Sequence, residues 1–406
     1  MVKKSSIYHF PVGNGDMTLI KIASHDKYYY VLVDMHIRNS SSKDKDKCDV
    51  LSELHKILET DNKGRPYIDA LVLTHPDRDH IGGFKECFHQ GEPESYSAPK
   101  SGEKAKIFIR EIWSSPMIFR RKRKNESLCD DAKVFKTEAK RRVKLYRDTD
   151  SIGAEGDRIR IIGEDIDSKT DDIMPIVYKL GDEITKINDN LIKELTVNLL
   201  GPLPDEDFED SDKIDKNRSS IIMQWCIASH GYNEPTNFIL LAGDASVETW
   251  EIIYSKYKKD SSKLKYDILM APHHCSWHTL SHDSYSKSDN PLVSNDAISA
   301  LSHAQTGAII ISSSDQIEDN ENDPPNYQAK SEYEKIVEKN NGSFICLADN
   351  IVSEGQPPAV LALRLTKEGP QKLEPKSEGK LSEKIENRTA ATSSLFANSG
   401  QAIGHG

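Results

Sequence analysis

The densest chemistry in the chain is the run Leu71-Val-Leu-Thr-His75-Pro-Asp77-Arg-Asp79-His80-Ile-Gly82-Gly83. Four side chains able to bind a metal, His75, Asp77, Asp79 and His80, fall within six residues. Imidazoles and carboxylates at near-alternating positions of a tight loop can converge on two adjacent divalent cations. The closing Gly82-Gly83 lets the backbone turn into a helix close to such a site. Three further segments place polar groups at the ends of apolar runs. Leu240-Leu-Ala-Gly243-Asp244 delivers one carboxylate through a glycine, the form a bridging ligand needs, although a lone Gly-Asp turn is common. Ile268-Leu-Met-Ala-Pro272-His273-His274-Cys275-Ser276 sets paired histidines after a strand. Val12-Gly13-Asn14-Gly15-Asp16 precedes the strand Met17–Ala23 and says little alone.

Positioning these groups requires strands that end along one edge. Ile7–Phe10, Met17–Ala23, Tyr28–Asp34, Ala70–Thr74 and Ile107–Trp113 read as short strands, with Val50–Leu58 at helical spacing. Leu195–Leu200, Ser220–Ala228, Phe238–Ala242, Asp267–Ala271 and Ala308–Ser312 resume the pattern. Helices at Val247–Lys258 and Gln328–Asn340 alternate with them, and Ser343–Ala348 and Val360–Leu365 finish the sheet. This order predicts an α+β architecture of two sheets packed face to face and covered by helices. Residues from about 114 to 195 are mostly charged and read as an insertion. Within it, Ala132, Phe135, Ala139, Val143 and Tyr146 form an apolar stripe on an otherwise basic helix. One domain over 1–365 and a flexible polar tail over 366–406 complete the predicted organisation.

Composition narrows the class. Hydrophobic residues make up 36% and charged ones 29%, as in a soluble globular chain, and no apolar run approaches the roughly 20 residues that span a bilayer. Lys3 and Lys4 have no apolar stretch behind them, so no secretory signal is read and a cytoplasmic location is expected. Six scattered cysteines without a Cys-x-x-Cys pair argue for reduced thiols. A net charge of −11 disfavours nucleic acid and anionic lipid on average. Locally the balance reverses, with twelve Lys/Arg against four acids between Phe119 and Arg147. Lys136, Lys140, Lys144 and Arg147 share one side of the predicted helix, with Arg120–Lys124 upstream. Such a face can follow a nucleic-acid backbone without reading its sequence.

Together, the four segments resemble the metallo-hydrolase domain of the ComEC competence proteins, within the metallo-β-lactamase superfamily. The resemblance adds Leu32-Val-Asp34 at a strand end and Asn217-Arg-Ser-Ser220, and spans about residues 7–365 apart from the central insertion. It implies a four-layer αβ/βα sandwich and two divalent metal ions, manganese or zinc. His75 and Asp77 would hold one metal, Asp79, His80 and one of His273/His274 the other, with Asp244 bridging. A metal-activated water would be the nucleophile, and Asp79, Asp244 and His273 would be catalytic. His36, Ser276, Lys136, Lys140 and Lys144 are the candidate substrate contacts. Three departures bear on specificity: Met35-His36 follows Asp34, Cys275 replaces a glycine, and Asn322–Tyr327 lacks a histidine that relatives carry there. That histidine's role would be vacant or pass to His36, His278 or His282.

The resemblance implies a phosphodiesterase or nuclease, with nucleic acid on the basic helix or a small phosphoester at the metals, and no membrane partner. One alternative is a hydrolase of a small ester, amide or cyclic nucleotide, which an enclosed pocket would favour. Another is a catalytically silent binding protein of the same fold, against which the complete set at 75, 77, 79, 80 and 244 argues.

Overall fold

The computed structural model describes residues 3–38, 47–115, 127–163, 168–208, 216–288 and 291–373. Its larger sheet has nine strands, ordered β19 (Gly369–Lys372), β18 (Leu361–Thr366), β1 (Ser6–His9), β2 (Thr18–Ser24), β3 (Lys27–Val33), β5 (Tyr67–Val72), β6 (Phe108–Ser114), β7 (Arg158–Ile162) and β8 (Val177–Tyr178). The smaller has seven, ordered β17 (Ser343–Cys346), β16 (Ala304–Ser312), β15 (Tyr266–Met270), β14 (Asn237–Leu241), β13 (Met223–Ile227), β12 (Leu195–Leu199) and β9 (Glu183–Ile184). β4 (Met35–His36) bridges to Ile81 and Gly82, and β10 (Lys186–Ile187) pairs with β11 (Asn190–Leu191).

β3, β5, β6 and β7 run parallel, so their C-terminal ends share one edge of the larger sheet. β14, β15 and β16 are likewise parallel in the smaller sheet. Parallel strands are covered on both faces, which is why β5 is buried along its whole length and reads as a continuous run.

The sheets meet through Ile7, Val31, Val72 and Trp113 on one side and Val197, Trp225, Ile239 and Ile268 on the other. Trp113 and Trp225 stack with centroids 5.8 Å apart. The outer face of the larger sheet packs against α1 (Val50–Ile57) and α2 (Asp130–Thr149) through Leu54, Ala132 and Phe135. The outer face of the smaller sheet packs against α3 (Val247–Tyr257), α4 (Asn295–Leu301) and α5 (Tyr327–Glu338). The architecture is therefore mixed α and β, two large sheets face to face with helices outside.

Residues 114–195, predicted to stand outside the core, instead supply β7 and β8 to the larger sheet and β9 to the smaller. Two of their cations, Arg142 and Arg160, are buried and paired. Glu111 of β6 accepts from Arg160 Nε at 2.9 Å and from Trp113 Nε1 at 2.8 Å. On α2 the apolar stripe packs as predicted at Ala132, Phe135 and Tyr146, but Arg142, counted with the basic surface, is buried too. Its guanidinium donates to Glu138 at 2.8 Å and to the carbonyls of Ile109 and Arg158. β19 pairs with β18, so the sheet continues past residue 365. The rest of the predicted tail, 374–406, and the run Arg120–Lys124 lie outside the described residues. None of the six cysteines forms a disulfide. No helix among the described residues is long and apolar enough to cross a membrane.

Candidate metal centre

β5 ends at Val72 opposite Trp113, and Leu73 N still donates to the Trp113 carbonyl at 3.0 Å. The chain then leaves the sheet at Thr74, and a single helical turn, Arg78–Ile81, folds back over the strand ends. His75 and His80 are fully buried.

Asp34 sits just past β3 with φ of 54°, a left-handed conformation uncommon outside glycine. Its carboxylate accepts from Thr74 N at 2.7 Å, from the Thr74 hydroxyl, and from His80 Nδ1 at 2.9 Å. The bond to Nδ1 orients the ring and turns His80 Nε2 toward Asp244 Oδ1, 2.9 Å away. Asp244 arrives from β14 through Gly243, whose φ is 49°. A Cβ at Gly243 would stand 2.7 Å from Thr74 Oγ1, so glycine is what lets the two strand ends approach.

The loop after β15 holds His273, His274 and Cys275 at φ of 52°, 55° and 68°. Three successive left-handed non-glycine residues are costly, and such strain concentrates at functional sites. His273 N donates to the Gly243 carbonyl at 3.0 Å, which pins this loop beside Asp244. His274 is buried; its Nε2 stands 3.5 Å from Asp79 Oδ2 and 3.7 Å from Asp244 Oδ1, and its Nδ1 3.5 Å from Asp16 Oδ1.

Ligand-type atoms therefore gather in three overlapping groups: His75, His80 and Asp244; Asp79, His80 and His274; and Asp16, Asp34 and His80. Within each group the atoms lie within 4.8 Å of one another. Both ring nitrogens of His274 are buried without an ordinary hydrogen bond. Buried polar atoms rarely go unsatisfied, and the nitrogen and oxygen donors of the three groups are of the type that manganese and zinc take. The residues fit a divalent cation. Their electrostatics agree. Burial opposes charge on His274, yet Asp244, Asp16 and Asp79 raise its pKa to about 10. Burial opposes charge on His80 as well, and Asp244 and Asp34 outweigh it. Burial would raise the Asp244 carboxyl, but His80, His273 and His274 hold it well below the usual range. The buried carboxylate charge that draws protons onto the imidazoles is the charge that would hold a cation.

Other predicted residues fall differently. Asp77 is 30% exposed, its Oδ2 lies 3.7 Å from His75 Nδ1, and it joins none of the three groups. His273 is 24% exposed at the rim, with Nε2 3.7 Å from Asp244 Oδ2, so His274 is the member of the pair inside a ligand group. His80 belongs to all three groups, and the group Asp79, His80 and His274 has the membership expected of one metal's ligands. Ser276, predicted to meet substrate, is fully buried and accepts from His278 N at 3.1 Å, capping a turn. His278 and His282 are exposed, and His282 Nε2 is 3.0 Å from Glu251. His36 lines a cavity of about 850 Å³ together with Arg38, Asp77, Arg78 and Asp79. Burial and the neighbouring Arg38 push its pKa down to about 4, which keeps the ring neutral. Lys136, Lys140 and Lys144 line a separate cavity under α2. Asp16 and Asp34, which the sequence motifs do not mark as ligands, also join the cluster. Their place in the cluster follows from the pairing of β3 with β5 and from the bond of Asp16 N to the Asp79 carbonyl at 3.0 Å.

No protein-family model matches the chain, and no curated protein matches it.

Proposed function

We propose that the chain is a metal-dependent hydrolase that cleaves a phosphodiester. The observation carrying this reading is that Asp244, a carboxylate able to bridge, stands in one group with His75 and His80 while its Oδ1 is 3.7 Å from His274 Nε2 of the group Asp79–His80–His274. Two such groups side by side suit a pair of divalent cations. The helix-covered sheets, with the cluster at their strand ends, resemble the metallo-β-lactamase sandwich. When bound, such cations lower the pKa of water and neutralise phosphoryl oxygens.

The chain's own residues do the rest. His75, Asp79, His80, Asp244 and His274 hold the cations. Asp34 orients His80 through its 2.9 Å bond, and Asp16 stands beside His274 Nδ1. Arg38 and Arg78 line the cavity next to Asp79 and place guanidinium groups where a phosphate can meet them. Neutral His36 offers the same cavity a hydrogen-bonding ring. His273, exposed beside Asp244, is the imidazole placed to exchange a proton with the leaving oxygen.

The test is turnover of bis(4-nitrophenyl) phosphate, single- and double-stranded DNA and RNA by the purified chain, after chelation and after metal return. Hydrolysis that disappears with chelation and returns with metal is expected. A fully metal-loaded chain that turns over none of them overturns the reading in favour of a silent binding protein.

A further inference from the structure

α2 lies across the outer face of the larger sheet, anchored by the buried rings of Phe135 and Tyr146. Between the anchors, Ala139 and Val143 are short, and a cavity of about 520 Å³ remains beneath the helix. Its floor comes from β6 and β7. The register pairs Ile112 with Ile159 and Ser114 with Ile161, so these side chains share one face. Ile159, Ile161 and Ile173 make the floor apolar. Ser114 interrupts it: the residue is 3% exposed and its hydroxyl has no hydrogen-bond partner. A buried hydroxyl in that state can exchange a hydrogen bond with a polar atom of a ligand.

The rim is cationic. Among the described residues, Lys136, Lys140, Lys144, Arg147 and Lys169 line it with the acid Asp148, in a chain whose net charge is −11. Lys144 pairs with Asp148, and Arg147 with Asp172. Both pairs are exposed, and exposed pairs are weak enough for the cations to turn toward a stronger acceptor. The lysines of α2, predicted to share a face that can follow a nucleic-acid backbone, line this concavity.

An apolar floor inside a ring of cations selects a molecule with an apolar body and an anionic end. The volume falls within the roughly 300–1,000 Å³ common for small-molecule sites. A backbone lying across the rim would use the lysines and leave the isoleucines and Ser114 unused. We propose that this cavity binds a nucleotide, its base on the isoleucine floor within reach of Ser114 and its phosphate on the lysines. None of the cluster residues His75, Asp79, His80, Asp244 or His274 lines it, so the site does not depend on the hydrolase reading.

The experiment is calorimetric titration of the chelated full chain with AMP, inorganic phosphate and tetrathymidylate. AMP should bind saturably and about tenfold more tightly than phosphate, because only AMP can use the floor. Lys140→Glu and Lys169→Glu, both at exposed positions, should each weaken nucleotide binding several-fold. Tetrathymidylate binding more tightly than AMP identifies a nucleotide within a strand as the occupant, and the reverse order identifies a free nucleotide. Absence of saturable binding at millimolar ligand, equal affinity for AMP and phosphate, or indifference to both substitutions overturns the proposal. Because the chain is metal-free here, failure of hydrolysis is a separate result.

Discussion

His80 Nδ1 donates to Asp34 at 2.9 Å, and the opposite ring nitrogen faces Asp244 at the same distance. On the proposed reading, Asp34 would support a metal through the orientation of His80. Asp34→Asn retains an acceptor for Thr74 N but loses the charge that holds the imidazole. Metal affinity should fall about 10- to 100-fold, as for other supporting partners of ligand histidines. Far-UV circular dichroism should be unchanged. An unaltered titration curve with manganese or zinc would remove Asp34 from this role.

Ligand hardness should set the preference of the proposed metal site. Asp79 and Asp244 stand in the groups with His75, His80 and His274, and Asp16 and Asp34 lie beside them. Oxygen-rich, anionic sites favour harder cations, although raw affinity still ranks zinc above manganese. After chelation, manganese should restore more activity than zinc. Asp77→His, 3.7 Å from His75, should move the preference toward zinc. Activity that returns only with zinc in both proteins contradicts this.

The buried pair Glu138–Arg142 lies within α2 at 2.8 Å, and it holds the Arg142 guanidinium where it donates to the Ile109 and Arg158 carbonyls of the sheet. Removing one partner leaves an uncompensated charge, so Glu138→Ala should cost roughly 3–5 kcal/mol. Lys140→Glu, on the exposed side of the same helix, should change stability by less than about 0.5 kcal/mol. Urea midpoints distinguish them, and equal midpoints would mean that the ion pair does not anchor the helix.

Burial raises the Asp267 carboxyl to about 6, while its Oδ2 accepts from Phe238 N at 2.7 Å. With the folded pKa above the unfolded one, its stabilising contribution is complete below about 3.9 and is lost as the pH climbs through about 6. Asparagine keeps an acceptor and does not ionise. Asp267→Asn should gain on the parent between about pH 4 and pH 8 by on the order of 2 kcal/mol. Thermal midpoints whose difference stays constant over that range would show that the carboxyl does not titrate on unfolding.

Much of the centre is legible before folding because His75, Asp79, His80 and Asp244 crowd into two turns at the ends of apolar runs. β7 is not legible, because Arg158 and Arg160 break its pattern and their partners are remote. Arg160 meets Glu111 across 49 positions, and Arg158 meets Asn188 across 30. Arg142 misleads for the same reason, since helical spacing places it on a face but not against the carbonyls of β6 and β7. Ser276 looks available beside two histidines, and only the turn it caps shows it to be enclosed.

Metal stoichiometry of the purified full chain, read by inductively coupled plasma mass spectrometry beside hydrolysis of bis(4-nitrophenyl) phosphate, is the most direct measurement. The parent should carry about two divalent ions. Asp244→Asn and Asp79→Ala should each lose metal and turnover while keeping the parent's circular dichroism. A parent that holds no divalent ion after dialysis against manganese or zinc, or an Asp244→Asn chain with full metal and near-normal turnover, would contradict a metal centre built on His80 and Asp244.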